Sequence, residues 1–73
     1  MKKTLVVLAE GFEETEAITI IDFLRRANIE TCVASLYEVW VTGSHDITIK
    51  ADQLLDEVAS DDFDMIILPG GQP

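Results

Sequence analysis

The strongest constraint in the sequence is a pair of short apolar runs separated by a segment of helical periodicity. Residues 5–9 form an unbroken apolar run with β-branched side chains at its centre, which is typical of a strand covered on both faces in a parallel sheet. Apolar residues then recur at helical spacing over residues 13–27, with acidic residues in the first turn and arginines in the last. This pattern predicts an amphipathic helix. Because residues 31–34 predict a second buried strand, the sequence predicts a βαβ unit.

The second half of the chain predicts a hairpin, a short helix and a third strand. Apolar and polar residues alternate over residues 37–50 on both sides of a polar turn, as in a β-hairpin with one solvated face. Asp52 is positioned to cap a short helix whose Leu54, Leu55 and Val58 face inward. A polar turn at residues 60–62 then leads to a third apolar run at residues 63–68. Right-handed crossovers order these strands two-one-three and place the two helices on opposite faces of the sheet.

The predicted third strand implies that the sheet is incomplete. Residues 65–68 in this run are apolar on both faces, and as an outer strand they would leave an uncharged ladder of backbone groups unpaired, which natural proteins avoid. A glycine-rich stretch, Pro69-Gly70-Gly71, follows where another helix would normally begin. We therefore expect residues 1–73 to be the N-terminal half of a larger α/β domain. The C-terminal half of that domain would be the first partner of this chain.

Charge and composition limit the other partners of the chain. Five Lys and Arg residues stand against 14 Asp and Glu residues, so the formal net charge is −9. This charge disfavours nucleic acid and anionic membrane surfaces, because both are bound through Lys and Arg. No apolar stretch approaches the roughly 20 residues of a membrane helix. One cysteine and one histidine provide neither a disulfide nor the four ligands of a structural zinc site, and we expect a cytoplasmic protein without metal or cofactor.

Two loops are predicted to meet at the carboxyl ends of the strands, where parallel sheets bind ligands. Residues 10–16 carry four carboxylates and lack the glycine pattern of a nucleotide site. Glu16 in this loop is a candidate general acid, with a solvated carboxylate of the first helical turn as the alternative. In the second loop, Gly70 and Gly71 offer backbone N–H groups suited to an oxyanion or a thiolate, although such pairs are also typical of tight turns.

The remaining reactive and aromatic side chains indicate structure rather than chemistry. Cys32 lies inside a predicted strand and away from the strand ends, which favours a small buried hydrophobe over a nucleophile. His45 lies in a polar turn with no cluster around it in the sequence, which predicts a surface histidine. Tyr37 and Trp40 are candidates for an interface or for filling space over the sheet.

Two motifs resemble a known family and stand at the separation that the family has. They are Gly11-Phe12-Glu13-Glu14-Thr15-Glu16-Ala17, followed by Ile21-Asp22 and Leu24-Arg25-Arg26, and Phe63-Asp64-Met65-Ile66-Ile67-Leu68-Pro69-Gly70-Gly71. On these motifs the chain resembles the ThiJ/PfpI superfamily, in particular the branch with the bacterial ThiJ/YajL proteins and the human parkinsonism-associated protein deglycase. The resemblance spans the entire chain. It implies a flavodoxin-like three-layer sandwich with a mostly parallel sheet, usually a homodimer with Asp22 and Arg26 near the dimer contact.

The resemblance also implies the parts of a site. In the family a reactive cysteine sits on a sharp strand-to-helix turn, and the glutamate matching Glu16 hydrogen-bonds it. Backbone amides matching Gly70 and Gly71 line an oxyanion pocket beside the cysteine. The cysteine and its neighbouring histidine belong to the second half of the family's domain, and neither is present here. Residues 1–73 alone are therefore expected to be inactive, and Cys32 does not replace the missing nucleophile.

Three functions are in contention for the complete protein. A glyoxalase or deglycase would attack a 2-oxoaldehyde or its adduct with the cysteine, using Glu16 as proton donor and acceptor. A redox sensor or chaperone-like stress protein would use the same thiolate without turnover. A peptidase or amidotransferase-like hydrolase is the third possibility, because related folds carry a similar cysteine turn. Turnover of methylglyoxal separates the first function from the others.

Overall fold

A computed structural model describes residues 2–59 and 62–71 of the chain. Within these ranges the chain forms six strands, one α-helix and one 3₁₀ turn. In chain order the elements are β1 (Lys3–Leu8), α1 (Glu14–Arg26), β2 (Glu30–Ser35), β3 (Trp40–Thr42), β4 (Thr48–Lys50), β5 (Gln53–Leu54), the 3₁₀ turn (Leu55–Glu57) and β6 (Met65–Ile67). Two residues of the turn predicted at 60–62, residues 60 and 61, lie outside the described ranges. None of the described helices is long and apolar enough to cross a membrane.

Strand β1 is one of the two inner strands of a parallel sheet with the order β5-β2-β1-β6. Its residues 3–8 pair with residues 30–35 of β2, and its residues 4–6 pair with residues 65–67 of β6. In this register Val6 lies opposite both Val33 and Ile67. The predicted order two-one-three is therefore confirmed as β2-β1-β6. The short strand β5, which pairs with the end of β2, is an addition that the sequence did not predict.

The prediction of a short helix after Asp52 is wrong, because residues 53–57 form β5 and the 3₁₀ turn. Asp52 does not cap a helix, since its carboxylate accepts the backbone N–H of Val33 at 2.9 Å and lies 3.1 Å from the Arg25 guanidinium. The N–H of Asp52 donates to the carbonyl of Val33 at 2.8 Å, so the segment starts as an extension of the sheet. The expected pair of helices on opposite faces is wrong for the same reason, because α1 is the only α-helix in the described ranges.

Helix α1 forms where the periodicity predicts it, and both of its ends are defined by the neighbouring residues. The carboxylate of Glu13 accepts the backbone N–H of Thr15 at 2.7 Å and that of Glu16 at 3.3 Å. At the other end Asn28 has φ 62°, the left-handed conformation that commonly stops a helix. The helix packs on one face of the sheet, and the buried apolar residues of this core are Val6, Leu8, Phe12, Ala17, Ile21, Val33, Val41 and Ala51.

Strands β3 and β4 form the predicted hairpin, with Val41 opposite Ile49. Val41 is buried in the same core as α1 and Ile49 packs against it, so the hairpin lies on the helix side of the sheet. The two aromatic residues of this region do not fill space over the sheet. Tyr37 is 84% exposed and Trp40 is 58% exposed, with the Lys50 ammonium 5.8 Å from the centre of the indole ring.

The sheet face opposite α1 is left largely open by the residues that the structure describes. A groove of about 880 Å³ runs along it. Its lining includes Leu5 and Val7 of β1, Ile66 of β6 and Leu68 just after β6, together with Leu55 of the 3₁₀ turn and Val58 just after that turn. Ile66 and Leu68 are 53% and 71% exposed, and β6 is an edge strand in the described sheet. The apolar outer strand expected from the sequence is therefore present.

Candidate functional site

Glu16 and Gly70 meet at the carboxyl ends of two neighbouring strands. Glu16 lies in the first turn of α1, which follows β1, and Gly70 lies in the loop after β6. The backbone N–H of Gly70 donates to Glu16 Oε1 at 2.9 Å, which links residues 54 positions apart. Both residues are exposed. The structure thus brings together the two loops that the sequence places at this edge, and it directs one carboxylate of the first loop toward a glycine of the second.

The loop containing Gly70 and Gly71 is also fixed to the residues before α1. The carbonyl of Gly70 accepts the backbone N–H of Glu13 at 2.7 Å. Gly71 forms an antiparallel bridge with Phe12. A Cβ atom on Gly71 would collide with the carbonyl oxygen of Gly11 and would lie 2.8 Å from Phe12 Cα. Gly71 therefore has to be glycine because two backbone segments approach closely there.

Each of the four carboxylates in residues 10–16 accepts a hydrogen bond from a backbone N–H group. Glu10 accepts the N–H of Thr42 in the hairpin at 2.9 Å. Glu13 caps α1, Glu14 binds the hairpin turn and Glu16 binds the loop after β6. Hydrogen bonds from N–H groups stabilise the ionised form of a carboxylate. Each of the four carboxylates in this loop therefore has its own backbone donor.

Glu14 is the residue of this edge that sequence reasoning missed. Its side chain is only 6% exposed, and Oε2 accepts the backbone N–H of His45 at 2.7 Å and that of Ile47 at 3.2 Å. Oε1 lies 3.5 Å from the Ser44 hydroxyl and 3.0 Å from His45 Nδ1. A Cβ atom on Gly43 would collide with this carboxyl group. Glu14 therefore binds the hairpin turn to the start of α1. In the sequence, the small and polar residues of that turn are the signal for such a contact.

The contact between Glu14 and His45 shifts the pKa values of both side chains. Burial by itself raises the pKa of Glu14, but hydrogen bonds from the His45 ring and from backbone N–H groups outweigh it and lower the pKa from 4.5 to about 2. The hydrogen bond to Glu14 and the negative charge of that carboxylate raise the pKa of His45 above 6.5. The prediction of a surface histidine without a cluster is therefore corrected. His45 is exposed, yet its ring is tied to a buried acid 31 positions away.

The cluster around His45 has neither the geometry of a catalytic triad nor a free ligand set. Ser44 Oγ and Glu14 Oε1 contact the same ring nitrogen, Nδ1, at 3.1 and 3.0 Å. A serine-histidine-acid triad uses the two ring nitrogens for its two partners. Ligand atoms of Glu13, Glu14 and His45 lie within 4.8 Å of one another. Because the carboxylate of Glu14 is already occupied by hydrogen-bond donors, this group acts as a structural contact.

Cys32 is separated from the edge that carries Glu16. It lies three residues before the end of β2, a distance of about 10 Å along a strand. Its side chain is half-buried rather than fully buried as expected, and Sγ donates to Gln53 Oε1 at 3.4 Å. Burial raises the pKa of the Cys32 thiol, and the negative charge of Asp52 adds to the effect. Both factors disfavour the thiolate, as expected for a cysteine that is not a nucleophile.

Comparisons with a family model and with individual proteins point to the same family. A model of the DJ-1/PfpI family matches residues 2–73. The chain is 49% identical over 71 residues to protein dj-1beta of Drosophila melanogaster, covering 96% of this chain and 38% of that protein. It is 44% identical over 73 residues to DJ-1 homolog B of Arabidopsis thaliana, covering 99% of this chain and 17% of that protein. It is 39% identical over 70 residues to a deglycase of Thermococcus kodakarensis, covering 96% and 42% respectively.

Solved structures show the same similarity in three dimensions. Oxidised DJ-1 of Toxoplasma gondii superimposes with a TM-score of 0.95 at 43% identity, covering all of this chain and 40% of that one. DJ-1beta of Drosophila melanogaster gives a TM-score of 0.91 at 49% identity, covering 96% and 38%. The chain therefore has the flavodoxin-like arrangement of the corresponding part of these proteins, and it spans well under half the length of each.

Proposed function

Because the chain belongs to the DJ-1/PfpI family, we propose that the complete protein is a cysteine-dependent enzyme of the glyoxalase or deglycase type. Its substrates would be 2-oxoaldehydes or their adducts, and relatives from Thermococcus and Pyrococcus are named deglycases. Residues 1–73 form the N-terminal half of the catalytic domain in this proposal. The other half supplies the nucleophilic cysteine and covers the open groove along β1 and β6.

Glu16 is the proton donor and acceptor of the proposed site. A thiolate adds to the aldehyde carbon of a 2-oxoaldehyde, and the proton on that carbon must then move to the neighbouring carbon before water releases a 2-hydroxy acid. A carboxylate beside the reacting carbons can accept and return this proton. Glu16 is exposed at the carboxyl edge of the sheet and held there by the Gly70 N–H, which suits this role. The reaction needs no external oxidant, because one carbon is oxidised while its neighbour is reduced.

Gly70 and Gly71 have different roles in the proposed site. The N–H of Gly70 is engaged by Glu16, so it fixes the position of the carboxylate. The amide of Gly71 is the oxyanion donor in this proposal, with its backbone held against Gly11 and Phe12. Donors that are fixed before the reaction stabilise developing negative charge without reorganisation. The reducing cytoplasm would keep the cysteine as a thiol or thiolate.

The observation that carries the proposal is the hydrogen bond between Gly70 and Glu16, and substituting Glu16 in the complete protein tests it. Glu16→Gln keeps an oxygen that can accept the Gly70 N–H but cannot transfer a proton. We expect it to lower kcat with methylglyoxal by about 10²- to 10⁴-fold, the usual contribution of general acid–base catalysis. Glu16→Leu removes the hydrogen bond as well and should be at least as inactive.

The matched control is Asp64→Asn. Asp64 is also an exposed carboxylate that accepts a backbone N–H, that of Lys3 at 2.9 Å, but it lies at the amino end of the strands. Its kcat should equal that of the parent protein. Full activity of both Glu16 variants would refute the role of Glu16. A parent protein that does not turn over methylglyoxal, while its thiol oxidises readily, would favour the redox alternative.

A further inference from the structure

We propose that Glu14 is a positioning residue for the pair formed by Glu16 and Gly70. Glu14 does not face the groove or the loop after β6. Its carboxylate is buried against the hairpin turn, where it accepts the backbone N–H groups of His45 and Ile47. The inference rests on the proposed function only for its activity measurement, since the geometry can be followed separately.

The hairpin and the segment that leads into α1 are joined at several points, and Glu14 supplies a buried carboxylate to this contact. Outside Glu14, the N–H of Ser44 donates to the carbonyl of Phe12 at 2.9 Å, and the N–H of Gly11 donates to the carbonyl of Thr42 at 2.8 Å. These contacts hold the segment between β1 and α1 against the hairpin. Glu14 fixes the position of the hairpin against this segment, because moving the hairpin would leave a buried ionised carboxylate without its hydrogen-bond donors.

The same segment holds the loop after β6 from its other side. The N–H of Glu13 binds the carbonyl of Gly70, and the carboxylate of Glu13 caps the N–H of Glu16. Gly71 packs directly on Gly11 and Phe12. A displacement of the hairpin is therefore passed through residues 11–13 to both members of the Glu16–Gly70 pair. Displacements of about 1 Å at a reacting group can cost about 100-fold in rate.

Gly43 gives an independent way to disturb Glu14. The three atoms nearest to a Cβ on Gly43 are Cγ, Cδ and Oε2 of Glu14, and all three would be too close. Gly43 is not among the residues with positive φ, so alanine suits its backbone. Gly43→Ala therefore displaces the Glu14 carboxyl group from the turn without changing residue 14 itself. In a Glu14→Ala background the colliding atoms are absent, and the same substitution should have no further effect.

The experiment is a double-mutant cycle of Glu14→Ala and Gly43→Ala in the complete protein, with methylglyoxal turnover and the amide proton shift of Gly70 as readouts. Each single variant should lower kcat about tenfold with KM unchanged, and should move the Gly70 amide signal upfield as its bond to Glu16 lengthens. The double variant should match Glu14→Ala alone. The amide shift tests the positioning role even if methylglyoxal is not a substrate.

Asp52→Asn is the matched control. Asp52 is a carboxylate that accepts a backbone N–H and contacts a basic side chain, as Glu14 does, but its partners Val33 and Arg25 lie toward the other end of α1. It should leave both readouts unchanged. The proposal is overturned if both single variants retain the parent kcat and Gly70 signal, if their effects add in the double variant, or if Asp52→Asn has the same effect. If Glu14→Ala does not fold, Gly43→Ala tests the proposal by itself, and the parent kcat and Gly70 signal in that variant would overturn it.

Discussion

At the scale of single residues, the chain assigns a different backbone partner to each of four neighbouring acids. Glu10 and Glu14 bind the hairpin, Glu13 caps α1, and Glu16 binds the loop after β6. The four side chains have the same chemistry and lie within seven residues, but only Glu14 is buried. Burial alone would raise the pKa of Glu14, but the hydrogen-bond donors around its carboxylate lower the pKa to about 2 and favour the ionised form under acidic conditions.

The Glu14–His45 contact predicts a window of pH in which it stabilises the fold most. The pKa of Glu14 is lowered on folding, so its contribution is present above pH 4.5 and is lost as the pH falls toward 2. The pKa of His45 is raised, so its contribution is present below pH 6.5 and is lost as the pH rises through the folded value. Together the two contributions are greatest between pH 4.5 and 6.5.

Urea unfolding of the complete protein and of its Glu14→Gln variant measures this dependence. The free energy of unfolding should differ most between pH 4.5 and 6.5 and less at either side of this window. The variant His45→Asn keeps the backbone N–H groups that bind Glu14. In this variant the decrease of the unfolding free energy with rising pH above 6.5 should disappear, while the decrease at acidic pH remains. A stability difference that is constant from acidic to alkaline pH would contradict the assignment.

At the scale of elements, the hairpin and the loop after β6 hold the segment between β1 and α1 from two sides. The hairpin does so mainly through hydrogen bonds and the glycine loop through close backbone packing. Gly70 and Gly71 differ in this respect. A Cβ on Gly70 would approach only the flexible carboxyl group of Glu16, at 3.4 Å, whereas a Cβ on Gly71 would strike the backbone of Gly11 and Phe12. Adjacent glycines are therefore required to different degrees.

The two glycines should respond differently to substitution by alanine. Gly71→Ala forces two backbone segments apart, and overpacking of this kind destabilises by about 1 to 3 kcal/mol. Gly70→Ala should cost less than this, because the Glu16 side chain can move aside. Chemical denaturation of both variants in the complete protein measures the difference. Equal stability of the two variants would show that the approach of Gly71 to Gly11 is not a tight contact in solution.

At the scale of the whole molecule, the described residues cover one face of the sheet and leave part of the other face open. Helix α1 and the hairpin bury the face that carries Val6 and Val33. The opposite face and the edge of β6 expose apolar side chains along a groove of about 880 Å³. Such an edge is a template for pairing with another strand. In the proposed complete domain the C-terminal half covers it.

We expect the isolated 73-residue chain not to behave as a stable monomer, because its exposed edge and open face favour self-association. Sedimentation and thermal unfolding of the isolated chain test this. Leu68→Lys places a charge at a side chain that is 71% exposed, and it should reduce the association of the isolated chain. In the complete protein the same substitution should destabilise the fold, because the groove would then be covered. A monodisperse 8.1 kDa species with cooperative unfolding would contradict the expectation.

Local sequence patterns were sufficient for the elements whose partners are close in the chain. The apolar run of β1, the periodicity of α1 and the turn of the hairpin each express a local period or a local turn preference, and each appears where it was predicted. The strand order followed because right-handed crossovers leave few alternatives. The carboxyl-edge position of Glu16 and Gly70 followed from the same topology, and their direct hydrogen bond agrees with it.

Tertiary structure decided the features that depend on partners far along the chain. The capping preference of Asp52 predicts a helix, but Val33 and Arg25 occupy its carboxylate, and the segment pairs with β2 instead. Glu14 has the same sequence environment as the exposed acids beside it, yet the hairpin turn 31 positions away buries it. A buried charge needs donors to offset its lost hydration, and those donors come from segments that only the folded chain brings together.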